Sequence, residues 1–205
     1  MKILVVNASP HSEASHGYGF SLEMIRGLGK SAHVSVIERD LTSHPLPPIT
    51  QDYALAITSR DPDASQFDVS EMLIREIETT DVLIINTPMH NFTVPAALKL
   101  WIDYVLRVHR TFSVSAEGKV GLMRDRPTFV IVGSGGFHSG ERPWQSDFLT
   151  PYLRYALGSI GLKNLHFVLL QGLTRGDEAV ADALQSAREE IAQHALFASD
   201  NTITL

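Results

Sequence analysis

The stretch Ile3-Leu-Val-Val-Asn-Ala-Ser-Pro-His11 joins a short apolar run to a loop that carries a serine. Four more apolar runs follow it, and all are short and rich in β-branched residues: Val34–Ile37, Val82–Ile85, Phe129–Val132 and Phe167–Leu170. Four of the five runs are continuous rather than alternating, which is typical of strands covered on both faces. The runs therefore predict a buried parallel sheet.

Segments with the helical period separate these runs. One apolar stripe extends from Ala97 to Leu106 and another from Val180 to Ala195. Alternating strands and helices predict an α/β fold: a doubly wound, five-stranded parallel sheet with right-handed crossovers and helices on both faces. We expect the flavodoxin-like strand order 2-1-3-4-5. Prolines within residues 41–65 predict an irregular segment there, inside a single domain of residues 1–205.

Composition excludes several classes of protein. The 205 residues contain no cysteine, which excludes disulfides, thiolate metal sites and cysteine nucleophiles. A net charge of -6 argues against a nucleic-acid-binding surface, and no apolar run approaches the ~20 residues that span a bilayer. The N-terminal apolar run is too short for a signal peptide. We therefore expect a cytoplasmic protein that binds neither nucleic acid nor membrane.

The loop after the first run has the composition of an anion site. Ser9, Ser12 and Ser15 supply hydroxyl donors, and Gly17 and Gly19 let the backbone approach a ligand at the start of a helix. The loop has no lysine, so a bound anion would be held by neutral donors. This suits the monophosphate of FMN better than a transferring triphosphate. The alternative is a serine-rich loop that only caps its helix.

The loop after the third run is stiffened by Pro88 and Pro95. Stiff backbone amides suit the polar edge of a flat ring system, and Met89 and Phe92 could cover its face. An ordinary strand-to-helix turn is the alternative reading.

The loop after the fourth run, Gly133-Ser-Gly-Gly-Phe-His-Ser-Gly140, is rich in glycine. The amides of Gly135 and Gly136 could stabilise negative charge on a ligand, and His138 could donate a further hydrogen bond. A merely flexible loop explains the glycines equally well.

Other chemistries lack their motifs. The chain has no G-x-S-x-G elbow and no P-loop, and no third glycine completes a dinucleotide fingerprint after Gly17-Tyr-Gly19. The nine histidines are scattered without i, i+4 pairs, so we expect no metal site.

Several motifs resemble those of one family, the FMN-dependent NADH-azoreductases, which are relatives of the NAD(P)H:quinone oxidoreductases within the flavodoxin-like superfamily. The resemblance runs almost end to end, from Lys2 to the segment Gln171-Gly-Leu-Thr-Arg-Gly176. The most specific motifs are Pro88-Met-His-Asn-Phe92, Leu98-Lys-Leu-Trp-Ile-Asp103, Arg110-Thr-Phe112, Gly135-Gly-Phe-His138 and Thr150-Pro-Tyr-Leu153.

The resemblance implies a bound FMN and assigns residues to it. The implied residues at the phosphate and ribityl chain are Ser9, Ser15, His16 and Gly17. Those along the flavin ring are Pro88, Met89, His90, Asn91 and Phe92. Those near the N1/O2 side are Gly133, Ser134, Gly135, Gly136 and His138. His138 is a candidate for tuning the flavin, and no catalytic residue is assigned.

The resemblance also implies an enzyme that works as a homodimer, with two flavins in clefts at the interface and the helix of Trp101 placed to contribute there. NADH or NADPH would reduce FMN by hydride transfer, and a quinone or azo compound would then take two electrons in a ping-pong cycle. A flavodoxin-like electron carrier, an FMN or chromate-type reductase and a relative that has lost FMN are the alternatives.

The chain departs from the family pattern at a few positions. Relatives often have Ser-Gln-Ser where this chain has Ser15-His-Gly17, and often have arginine at the position of Ser134. Val114 and Ser159 stand where some relatives place aromatic residues over the substrate cleft. These departures leave the physiological substrate open.

Overall fold

The computed structural model describes residues 1–30, 33–116, 118–140 and 143–198. Its strands are β1 (Lys2–Asn7), β2 (Ser35–Asp40), β3 (Val82–Pro88), β4 (Phe112–Ser115), β5 (Gly118–Gly121), β6 (Thr128–Gly133) and β7 (Leu165–Leu170). Five of them form one parallel sheet in the order β2-β1-β3-β6-β7. This confirms the predicted order, because the five sheet strands follow 2-1-3-4-5 along the chain.

In the described part of the chain, six α-helices cover the two faces of this sheet. They are α1 (His16–Gly29), α2 (Gln51–Thr58), α3 (Asp68–Glu78), α4 (Ala96–Val105), α5 (Leu149–Ser159) and α6 (Asp177–Ala192). Helices α1 and α6 pack on one face, and α2 to α5 contribute to the core on the other face. Leu83 and Ile85 of β3 belong to one core, whereas Val82 and Ile84 belong to the other. The continuous apolar run of β3 thus reflects burial on both faces.

The edge strand β2 lies further along the chain than its apolar run Val34–Ile37 predicts. Its last residues, Glu38 to Asp40, pair with Val5 to Asn7 of β1. An edge strand is only partly covered, so polar residues take part in its pairing without any apolar pattern.

Three elements were not expected, the helix α2 and the strands β4 and β5. The segment 41–65 is not irregular throughout, since it contains α2, whose cap Thr50 accepts a hydrogen bond from the amide of Tyr53 at 3.1 Å. Strands β4 and β5 form an antiparallel pair between α4 and β6. A Cβ atom at Gly121 in β5 would lie 2.1 Å from the amide nitrogen of Gly161, so this pair packs closely against the end of α5.

The topology brings the loops after β1, β3, β6 and β7 to one edge of the sheet, because parallel strands all end there. Along the described ranges of the chain, no helix combines the length and apolarity needed to cross a membrane.

Candidate functional site

A pocket of about 450 Å³ opens at the carboxyl ends of the strands. It lies over β1 and β3, where the chain turns to opposite sides of the sheet, and a parallel α/β sheet binds ligands at such a switch point. Its volume is in the range of small-molecule sites. The loops after β1, β3, β6 and β7 all contribute to its wall.

Most of the residues that the sequence predicts for the cofactor line this pocket. They are Ser9, Ser15, His16, Gly17, Pro88, Met89, His90, Gly133, Ser134 and Gly135. Four others are not part of its lining: Asn91, Phe92, Gly136 and His138. The remaining lining residues, which sequence reasoning did not select, are His11, Ala14, Asn86, Thr87, Leu173 and Thr174.

Two serine hydroxyls in the loop after β1 are free to donate into the pocket. The Oγ of Ser9 accepts from the amide of His11 at 3.3 Å. The Oγ of Ser15 accepts from the amide of Tyr18 at 3.4 Å and from Nδ2 of Asn86 at 3.2 Å. Each oxygen acts as an acceptor in these bonds, so its own O–H is left for a ligand. Ser12 lies outside this pocket, with its Oγ 3.4 Å from that of Ser43.

The N-terminus of α1 adds two amides to the same corner. Ser15 is the N-cap, so the amides of His16 and Gly17 have no acceptor within the helix, and the helix dipole favours an anion beside them. Among the described residues that line the pocket there is no lysine or arginine. The corner is therefore built to hold an anion with neutral donors.

The side chain of Asn86 requires a glycine at residue 17. A Cβ atom at residue 17 would lie 2.2 Å from Oδ1 of Asn86. Asn86 is buried, and its Nδ2 donates to Oδ1 of Asn7 at 2.8 Å as well as to Ser15. A serine at residue 17 would not fit beside this asparagine.

The loop after β3 contains a tight turn that directs its tip away from the pocket lining. His90 and Thr93 exchange backbone hydrogen bonds of 2.9 and 3.0 Å, and Asn91 and Phe92 between them have φ angles of +46° and +73°. Such a turn needs two left-handed residues, and a phenylalanine there is strained. The side chain of Phe92 is 50% exposed, and its carbonyl accepts from the amide of Phe148 at 3.0 Å.

His138 reaches the pocket only through Ser134. The Oγ of Ser134 donates to the carbonyl of Gly136 at 2.8 Å, so in its 3.1 Å contact with Nδ1 of His138 it must accept. The proton of the neutral imidazole is therefore on Nδ1. Burial lowers the pKa of His138, which keeps the ring neutral at pH 7, and Nε2 is buried with no partner in the described chain. This places the histidine as a support for the Ser134 loop.

Glycines in the loop after β6 make room for the neighbouring loop as well as for a ligand. A Cβ atom at Gly135 would lie 2.8 Å from Cγ2 of Thr174, and one at Gly133 would lie 3.3 Å from Cδ1 of Leu173. The amide of Gly135 has no acceptor within the described ranges, so it can donate into the pocket.

The lining residues that the sequence analysis did not select differ in how readily the sequence could have predicted them. Asn86 and Thr87 end the third strand, so reading the strand to its carboxyl end would have found them. Leu173 and Thr174 follow β7 and enter the site only through the close approach of two loops.

Comparison with known proteins shows the family of this chain. Residues 1–195 match the model of a family described as having the flavodoxin-like fold. FMN-dependent NADH:quinone oxidoreductase 4 of Pseudomonas fluorescens is 56% identical over 95% of this chain and 96% of its own length. FMN-dependent NADH:quinone oxidoreductase 5 of Burkholderia lata is 46% identical over 98% of each chain. The chain belongs to the flavodoxin-like family. Within it, the chain groups with these oxidoreductases, which confirms the resemblance seen in the sequence.

Solved structures support the fold itself. An azoreductase from Bacillus anthracis superimposes with a TM-score of 0.80 at 23% identity, covering 94% of this chain and 97% of its own. At this identity the likeness concerns the fold alone.

We predict that Gly17→Ala destabilises the protein by about 1–3 kcal/mol, because its Cβ would force Asn86 to move. Gly19→Ala is the matched control in the same helix. A Cβ atom there meets nothing within 4 Å, so the change should stabilise the protein by about 0.5–1 kcal/mol. Urea unfolding measures both values. In an Asn86→Ala background the cost at residue 17 should largely disappear, and an unchanged cost would contradict this account.

Proposed function

We propose that the protein is an FMN-dependent NADH:quinone oxidoreductase. The observation that carries this proposal is the anion corner, where two serine hydroxyls and two helix amides converge without a cation. A monophosphate ester is an anion that such donors can hold. The close relatives, whose names state FMN dependence and NADH:quinone activity, support the same cofactor, donor and acceptor.

The residues present fit FMN along the whole pocket. Ser9, Ser15 and the amides of His16 and Gly17 would hold the phosphate. Pro88 and Met89 would border the flavin ring, and the Gly135 amide would donate to its pyrimidine edge. When bound, FMN supplies the redox chemistry, taking up a hydride equivalent from NADH and passing two electrons to the acceptor.

The protein's own residues would position the cofactor and stabilise its reduced state. A backbone N–H aimed at the place where negative charge develops lowers the energy of the reduced state without reorganisation. Ser134 and His138 hold the loop of Gly135, and the amide of Met89 is fixed by its 2.8 Å bond to the carbonyl of Gly133. No side chain is required as an obligatory acid. One shared pocket for donor and acceptor implies ping-pong kinetics. Azo compounds as acceptors, NADPH as a donor and a cytoplasmic location are proposals that rest on the sequence.

We predict that the purified protein retains FMN and that NADH bleaches the flavin, after which a benzoquinone restores its colour. Ser15→Ala should weaken FMN binding about tenfold, because it removes a hydrogen bond to a charged group. Ser12→Ala, outside the pocket, is the matched control and should bind FMN normally. Absorbance spectroscopy and FMN titration give these results. A protein that remains colourless when FMN is added would refute the proposal.

We predict that His138 acts through its Nδ1 proton. An asparagine can place an N–H near the position of Nδ1, whereas a glutamine places its amide near Nε2. His138→Asn should therefore keep FMN affinity, and His138→Gln should weaken it about fivefold, the worth of one neutral hydrogen bond. Titration with FMN distinguishes them, and urea unfolding of the apoproteins separates a general packing loss. Equal loss in both variants would show that the Ser134 contact does not matter.

We further propose that the protein forms a homodimer through the face around the pocket. Phe148, whose amide donates to the carbonyl of Phe92 in the loop after β3, is 61% exposed, and Phe92 is held in a strained conformation. Tyr155, on the helix α5 that Phe148 caps, is 73% exposed. Exposed apolar side chains of this size mark interaction surfaces. Trp101, by contrast, is fully buried within the protomer, so the indole itself is part of the core and is not available to a partner.

Light scattering should give twice the chain mass of 22.6 kDa. Tyr155→Glu should shift the protein toward monomer, since it would place a charge in the interface. Leu55→Glu is the control, because Leu55 is 59% exposed on α2, away from the pocket. A monomeric wild-type protein would exclude the dimer.

A further inference from the structure

A cluster of three side chains lies beside the pocket, and the proposed reaction assigns no role to it. The guanidinium carbon of Arg175 lies 4.7 Å from the ring centroid of Trp144 and 5.6 Å from that of Phe137. The two aromatic rings contact each other edge-on, with centroids 5.5 Å apart. We refer to Phe137, Trp144 and Arg175 as the aromatic rim.

The aromatic rim is continuous with the pocket wall along the chain. Arg175 directly follows Thr174, which lines the pocket, and Phe137 lies two residues after Gly135, which also lines it. Backbone hydrogen bonds hold both loops in shape. The amide of Trp144 donates to the carbonyl of Phe137 at 2.9 Å, and the amide of Arg175 donates to that of Gly172 at 3.0 Å. The rim is thus a preformed surface at the pocket mouth.

Close packing joins the two loops that carry the rim. Gly172 has a φ of +76°, and a Cβ atom there would lie 3.0 Å from Cζ of Phe137. Only glycine combines that backbone conformation with this approach. The position of Arg175 over the rings therefore follows from the backbone.

The charge of Arg175 is left available. Its side chain is exposed, and within the described ranges it forms no ion pair, in contrast to Arg188, which pairs with Glu23 at 2.9 Å. A guanidinium stacked on an aromatic ring is held by its flat face, so its N–H groups around the edge stay free for an anion. Trp144 is 67% exposed even with this cation over it. The rim offers a ring surface and a cation side by side.

We propose that the aromatic rim binds the adenylate half of the dinucleotide electron donor. This inference rests on the proposed function, in which the nicotinamide end enters the pocket. The other half then extends over the mouth, and it carries the chemistry that the rim complements: a flat ring beside anionic phosphates. Quinone acceptors carry no such anion, so the donor is the substrate of the reaction that needs Arg175.

The test compares NADH with reduced nicotinamide mononucleotide, which lacks the adenylate half. In Arg175→Gln we expect the KM for NADH to rise roughly tenfold, the equivalent of about 1.4 kcal/mol. The KM for the truncated donor should stay within about twofold, because a single phosphate near the flavin does not reach the rim. Arg154→Gln is the matched control. Arg154 is also exposed and lies over an aromatic ring, Phe167, at 4.8 Å, but it is not adjacent in the chain to a lining residue, as Arg175 is to Thr174.

A binding measurement tests the rim without turnover. Titration of the FMN-loaded protein with ADP-ribose in a calorimeter should show binding that weakens about tenfold in Arg175→Gln. Trp144→Ala should weaken it too, while Trp144→Phe keeps a ring and should largely restore it. Binding of ADP-ribose to the unsubstituted protein should weaken at high salt, since the contact is between exposed charges.

The outcomes separate the rim from the proposed function. If Arg175→Gln raises the KM values for NADH and the truncated donor equally, or changes neither, the rim does not bind the adenylate half. An effect confined to an anionic azo acceptor, such as a sulfonated dye, would assign the rim to the acceptor and overturn the proposal. If neither donor reduces the flavin, the proposed function fails, and the ADP-ribose titration still decides whether the rim binds a nucleotide.

Discussion

The candidate site depends on one hydrogen bond, which joins the side chains of two buried asparagines. Asn7 and Asn86 are register partners at the carboxyl ends of β1 and β3, and their side chains are joined at 2.8 Å. Both are 1% exposed, so each polar group needs a partner within the protein. Asn7 also accepts from the amide of Ser9, and Asn86 donates to Ser15. The switch point of the sheet is thereby tied to both ends of the loop that forms the anion corner.

This arrangement directs hydrogen-bond donors into a pocket whose described lining residues include no lysine or arginine. Because Gly17 has no Cβ atom to meet Asn86, the N-terminus of α1 comes close to the sheet and presents backbone amides beside the hydroxyls of Ser9 and Ser15. Ser134 donates within its own loop and accepts from the neutral His138. Positive charge is instead found outside, on Arg175 at the pocket mouth. Under the two proposals, the pocket would hold the cofactor with neutral donors and the rim would hold the electron donor with a charge.

Much of the fold could be predicted because burial on both faces leaves a clear pattern. The continuous runs of β1, β3 and β6 marked central strands, and the strand order followed from the alternation with helices. The apolar pattern did not predict the elements that are only partly buried. The edge strand β2 extends over polar residues, and the β4–β5 pair and α2 have short segments whose stability comes from packing against other elements. Local propensity is weak for such short elements, and tertiary contacts decide them.

By itself the sequence determined the class of fold, the three loops of the site and most of the residues in the pocket wall. Strand ends can be read from periodicity, and parallel strands must all end at one edge. Only the tertiary structure decided which side chains face the pocket. Asn91 and Phe92 stand outside the lining in a tight turn with left-handed backbone, and His138 is separated from the lining by Ser134. Leu173, Thr174 and the rim of Arg175 join the site across loops distant in sequence. Such contacts depend on the direction of each side chain and on the approach of two backbones, which no single segment encodes.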